Sequence, residues 1–143
     1  MSLFAALSVG ASGMSAQRAR AELLVENLAN AETTRTPEGG PYRRKDVVFR
    51  SAEVETPFGS VFTQAQAAGG VEVAEVVTDS REPERRYAPG HPDADAEGYV
   101  AFPRVNPAED MVDLMGAARS YEANVAAMGA VKDMIVRSIE LLR

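Results

Sequence analysis

From Leu3 a heptad-like seam runs through Leu7, Gly10, Met14, Gln17, Ala21, Leu24, Leu28 and Ala31, which places these positions on one face of a helix over residues 2–32. The seam is thin, because Gly10 and Gly13 each cost about 1 kcal/mol relative to alanine and add no packing area. Small residues at Ala5, Ala6, Ser8, Gly10, Ala11, Ser12 and Gly13 either let another backbone approach closely or mark a frayed end. Such a helix needs a partner, and the expectation is that both terminal helices of the chain are poorly ordered in the free subunit and become ordered only on assembly. The last third is plainer: in "VNPAED" Asn106 can cap, Pro107 takes the first helical position and Glu109 the third position of a capping box. From there Met111, Leu114, Ala118, Tyr121, Val125, Met128, Ile135, Ile139 and Leu142 occupy a and d positions, interrupted by Lys132.

Between the helices the texture changes to short β-like runs, "DVVF" at 46–49, "SVFT" at 60–63 and "GVEVAEVV" at 70–77, separated by turn residues. Alternation in the third run shifts phase around Ala74 and Glu75, which predicts a bulge or a strand end. The segment "REPERRYAPGHPDADAEG" is too rich in Pro, Gly and charge for helix or central strand and reads as an extended surface loop. The fold class is therefore α+β: long N- and C-terminal helices (1–35 and 104–143) pairing as a coiled-coil-like unit, with a small central β-rich domain at 36–103.

Composition narrows the chemistry. A length of 143 residues suits one domain with extended appendages, and a net charge of −6 disfavours nucleic acid, so the partners expected are proteins. With no cysteine there is no disulfide, thiolate zinc site or cysteine nucleophile. No apolar run approaches the roughly 20 residues of a membrane span, and the opening "MSLFAALSVGASGMSAQ" lacks the basic start of a cleaved signal. "DADAEGYVAFPR" begins like a calcium loop, with Asp93, Asp95 and Glu97 alternating before Gly98, but its twelfth position is Arg104 where the metal needs a bidentate acid. His91, the single histidine, lies between a glycine and a proline and reads as a turn residue rather than a base partnered by Ser80 or Asp93. No phosphate loop or paired catalytic carboxylates are recognisable, so no enzyme activity, cofactor or metal is expected. The basic group Arg43, Arg44 and Lys45 and the acids Asp93, Asp95 and Glu97 are either solvated or complementary patches that steer one subunit onto the next.

The stretch "SGMSAQRARAELLVENLANAETTRTPEGGPYRRKDVVF" closely resembles the N-terminal signature of bacterial flagellar rod and hook proteins, and its "TTRTPEGGPYRRKDVVF" continuation is similar to the proximal-rod members. "YAPGHPDADAEGYVAFPRVNPAEDMVDLMGAARSYEANVAAM" is similar to the C-terminal block of the same proteins. The resemblance spans nearly the whole chain and is weakest over 51–69. It implies a non-enzymatic structural subunit, exported by the flagellar type III apparatus, that assembles helically with itself and other rod proteins and transmits torque. The terminal helices would form the axial core around the export channel, with the insert outside. Asn27 and Asn30 match the paired asparagines of the family and serve either capping and turn closure or subunit contact. Tyr121, Glu122 and Asn124 match its Tyr-x-x-Asn block, where Asn124 would fix register across helices and core packing alone would account for Tyr121. Arg104 departs from the asparagine more common there. The missing large insertion argues against hook and distal-rod proteins; a soluble helical adaptor presenting its β insert is the alternative from another class.

Overall fold

The computed structural model describes residues 3–52 and 69–141. In chain order the elements are α1 (Leu3–Ala29), β1 (Lys45–Ser51), β2 (Val71–Thr78), β3 (Glu84–Tyr87), β4 (Tyr99–Phe102) and α2 (Pro107–Glu140). The expected strand at 60–63 and the expected seam position Leu142 lie outside the described residues.

Helix α1 stops at Ala29 rather than at 32, because Asn30 closes it. The Asn30 backbone N–H bonds to the Glu26 carbonyl at 3.1 Å and its Nδ2 donates to the same oxygen at 2.9 Å. The Thr33 hydroxyl donates to Asn30 Oδ1, and the Tyr42 N–H then returns to the Thr33 carbonyl, so residues 33–42 close as a compact loop. Helix α2 starts as its sequence dictates: Asn106 Oδ1 accepts from the Ala108 N–H at 3.2 Å, Pro107 follows, and Glu109 and Asp110 stand in the first turn where the helix dipole favours acids.

The helices run antiparallel. Gly10 and Gly13 near the start of α1 face Met128 and Asn124, whereas Arg20 Nη2 lies 3.6 Å from Asp113 Oδ2. A β-carbon on Gly10 would sit 3.0 Å from Met128 Cγ, and one on Gly13 would sit 3.0 Å from Asn124 Nδ2. The two glycines are therefore notches that seat α2 side chains, which is the close-approach alternative for these small residues.

Strands β1 and β2 pair antiparallel and lie along α1. Val48 opposes Glu75 and Phe49 opposes Val73, so Ala74 is the extra residue of a bulge, where the alternation breaks in the sequence. The sheet is tied to the helix at both ends. Ser12 Oγ accepts from the Val71 N–H at 3.0 Å and donates to the Val9 carbonyl, while Asn27 holds Lys45. Ser12 and Asn27 stand about 22 Å apart along a helix, and the seven residues of β1 extend about 23 Å. Strand and helix thus match in length, and α1 has a cover on the side that a helix-only account of its thin seam leaves bare.

Residues 84–87 correct the reading of that segment as loop. They form β3, paired with β4 in register from Glu84↔Phe102 to Tyr87↔Tyr99. In a two-stranded sheet both strands are edges, so the charge in "ERRY" is no obstacle. Arg85 and Arg86 lie over the rings of Tyr99 and Phe102, and the Tyr87 and Tyr99 rings meet edge-on with centroids 5.4 Å apart. The turn between the strands closes on Asp95, whose Oδ1 accepts from the N–H groups of Glu97 and Tyr99, with Gly98 at φ +86°. Buried Val100, Pro103 and Val105 lead from this hairpin into α2.

Candidate functional site

Two places concentrate side chains that could carry function: the junction where the start of β1 meets α1 and, through the preceding Arg44, the start of α2, and the flank of α2 turned away from α1.

At the junction Asn27 is wholly buried and all its polar atoms are used. Nδ2 donates to the Lys45 carbonyl at 2.8 Å, and Oδ1 accepts from the Lys45 N–H and the Tyr42 hydroxyl, each at 2.9 Å. Burial first, then the nearby Glu26 carboxylate, pushes the Tyr42 phenol up to about 12, so it stays a donor. Lys45 Nζ pairs with Glu26 Oε1 at 2.6 Å. Of the two asparagines, Asn27 and Asn30, each therefore has an intrachain closing role.

The neighbouring Arg44 reaches α2. Its Nη2 lies 3.0 Å from Asp110 Oδ1, with Asp46 at 3.8 Å on the open side. Asp110 is 1% exposed, and among the described residues neither carboxylate oxygen accepts a hydrogen bond. Burial pushes its pKa up, against the opposing pull of Arg44. Neither Asp110 nor its pairing was foreseen. The signal was an acid one residue ahead of the apolar row, ordinarily explained by the helix dipole.

Of the other charges singled out from the sequence, Arg43, Asp93 and Asp95 have partners within the chain. Arg43 Nη1 donates to the Asp79 carbonyl. Asp93 pairs with Arg35 and accepts from the Thr34 hydroxyl at 2.7 Å, and Asp95 pairs with Arg85 at 2.6 Å. The two carboxylates are thus directed to separate cations rather than to one centre. Glu97 is exposed. His91 Nδ1 accepts from the Asp93 N–H inside the turn, and its ring meets Phe102 at 6.0 Å.

The flank of α2 corrects the expected seam. The α2 positions shielded from solvent are Asp110, Asp113, Leu114, Ala117, Asn124, Met128, Val131 and Ile135, of which Asp113, Asn124 and Met128 meet α1 directly; Tyr121 is at the margin. Of the expected row, Leu114, Tyr121, Met128 and Ile135 lie on this face, whereas Met111, Ala118, Val125 and Ile139 are exposed, and Lys132 is no interruption because Val131 takes its place. Met111, Val125 and Ile139 are 53%, 48% and 58% exposed, and Met115 and Val136 continue the same open strip. On α1, Leu24 is buried, Leu7, Met14 and Leu28 are half-buried, and Leu3 is open. Among the described residues this flank is therefore apolar and uncovered, broken by Glu122 and Lys132. Among the described residues no helix is long and apolar enough to cross a membrane.

The profile of the family described as flagellar basal body rod FlgEFG protein C-terminal matches residues 96–141, which contain β4 and α2. Over its whole length the chain is similar to curated rod proteins. It is 41% identical to flagellar basal-body rod protein FlgC of Bacillus subtilis, covering 99% of each chain. It is 41% identical to FlgC of Salmonella typhimurium, covering 99% of this chain and 98% of that one. FlgC of Borreliella burgdorferi is 36% identical over all of this chain and 99% of its own.

Proposed function

Since the chain belongs to the family of flagellar basal-body rod protein FlgC, we propose that it is a structural subunit of the flagellar proximal rod whose terminal helices, residues 1–35 and 104–143, form the axial packing unit, with residues 36–103 outside. The observation that carries this reading is the open flank of α2. Met111, Met115, Val125, Val136 and Ile139 form a strip too long for chance exposure, and α1 already has covers on two sides, so the strip is left for neighbouring subunits. The partners are further copies of this chain and other rod proteins, and the subunit reaches them through the flagellar type III export apparatus. It works without catalysis, cofactor or metal: torque passes through packed helices.

Deleting the gene tests the assignment. Basal bodies that stop before the rod are expected, and normal filaments in the deletion strain would sink it. In a complementation assay Val125→Asp with Ile139→Asp leaves the isolated subunit folded and fails to restore motility; full motility with that double variant would remove the flank from the interface.

A further inference from the structure

We infer that Arg44 and Asp110, together with the seat of Asn124 on Gly13, select the rotational setting of α2 against α1. Helix α2 carries two heptad rows that share Leu114, Tyr121, Met128 and Ile135. One row is completed by Asp110, Ala117, Asn124 and Val131, the other by Met111, Ala118, Val125 and Lys132. Exchanging them moves half of the seam by one residue, and one residue is about 100° of a helix, so the two settings differ by a rotation of about 50°.

Over residues 110–125 apolar burial favours the row that the protein does not use. Met111 and Val125 would bury more apolar surface than Asp110 and Asn124, and sinking a carboxylate and an amide carries a cost of its own. Only at the 131/132 step does the observed row gain, valine over lysine. Something near the start of α2 must offset the difference, and the junction supplies it. The hydrogen bonds from Asn27 fix Lys45 on α1, which fixes its neighbour Arg44. Its guanidinium lies 3.0 Å from Asp110 Oδ1 in the observed setting, and a rotation of about 50° would carry Asp110 away from it. About four turns farther along the helix, the Gly13 notch receives Asn124.

The pair has the form of a selecting contact rather than a stabilising one. A buried ion pair offsets its desolvation only when hydrogen bonds satisfy the remaining valences, and both Asp110 oxygens lack them among the described residues. Its effect is to hold Met111, Met115 and Val125 outward. The inference concerns how α2 sits on α1 and stands whatever the flank meets.

The chain has no cysteine, so single thiols report the setting in the full-length protein. Val125→Cys lies on the open flank, and Arg119→Cys, two residues beyond buried Ala117, stays exposed in both settings. With Arg44 and Asp110 intact, both thiols react rapidly with a maleimide. In an Arg44→Gln/Asp110→Asn background, which removes the ion pair without making the observed row more apolar, the Val125→Cys rate is expected to fall several-fold while the Arg119→Cys rate holds and the melting temperature is unchanged or raised. An Arg44→Gln/Asp110→Ser background carries the same labelling test if the first pair folds poorly. An unchanged Val125→Cys rate overturns the inference. So does a marked loss of melting temperature in both backgrounds, because the pair would then be a stabilising element.

Discussion

The two long helices differ in opposite senses in sequence and in space. Helix α1 has the poorer apolar pattern, with Gly10, Gln17 and Ala21 where a self-sufficient coiled coil carries Leu or Ile, yet it is covered by α2 on one side and by the β1–β2 sheet on another. Its open stripe is mostly small or charged: Ser8, Ala11, Ser15, Arg18 and Glu22, with Leu3, Phe4 and Val25 as apolar exceptions. Helix α2 has the richer pattern and the thinner cover. The contrast teaches that the strength of an apolar pattern reports all the burial a helix is selected for, including burial against other chains. Small residues, which weaken the pattern, report how closely its neighbours approach within the chain.

The sharpest way to break that contrast is to truncate one apolar side chain on each helix. Leu24 is 3% exposed, so Leu24→Ala is expected to cost about 2–5 kcal/mol in denaturant unfolding of the isolated subunit. Val125→Ala, on the open flank, is expected to cost under about 1 kcal/mol in the same measurement. Similar losses at both sites would mean that the flank belongs to the subunit's own core. Next in size comes Asn27→Ala, which strands the Lys45 N–H and carbonyl and the Tyr42 hydroxyl at a buried site. Since each unsatisfied buried group costs about 1–3 kcal/mol, a loss of about 2 kcal/mol or more is expected, together with faster amide exchange in β1. Unaltered exchange at Lys45 would show that Ser12 alone holds the sheet to α1.

How far the sequence discloses this arrangement depends on whether the deciding interaction is local. The Asn106–Pro107 start of α2, the end of α1 at Asn30 and the bulge at Ala74 are each set by neighbouring residues, and each is legible. The face of α2 is not, because an apolarity count ranks Met111 and Val125 above Asp110 and Asn124, and the features that reverse the ranking are Arg44 and Gly13, about 66 and 111 positions away along the chain. Strand β3 is illegible for a different reason. Its arginines look like loop residues until Tyr99 and Phe102 supply rings beneath them. Of the basic group, only Arg43 stays exposed, while Arg44 and Lys45 are taken up by Asp110 and Glu26.

The smallest expected effect separates the covers of the two helices by their response to acid. Asp79 follows β2, on the sheet that covers α1, and hydrogen bonds from the Arg81 side chain and then its backbone hold its carboxyl at about 2. Its folded pKa lies below the unfolded value of about 3.9, so the stability it contributes is present above that value and is lost as pH falls towards 2. Asp110, on α2, has its folded pKa raised, principally by burial. Its contribution therefore has the opposite sign: it is fully present below the unfolded pKa and is lost as pH rises through the folded one. Thermal unfolding followed from pH 7 down to 2 distinguishes them. Asp79→Asn is expected to flatten the loss of melting temperature between about pH 4 and pH 2, whereas Asp110→Asn is expected to gain on the native chain most at neutral pH, with the gain vanishing in acid. Asp46 already lies 3.8 Å from Arg44 in the native chain, so a carboxylate remains within reach of the guanidinium when Asp110 is replaced. If Asp110→Asn instead loses ground at neutral pH, the carboxylate there is a net stabiliser, and the start of α2 is held in the way the start of β1 is held by Asn27.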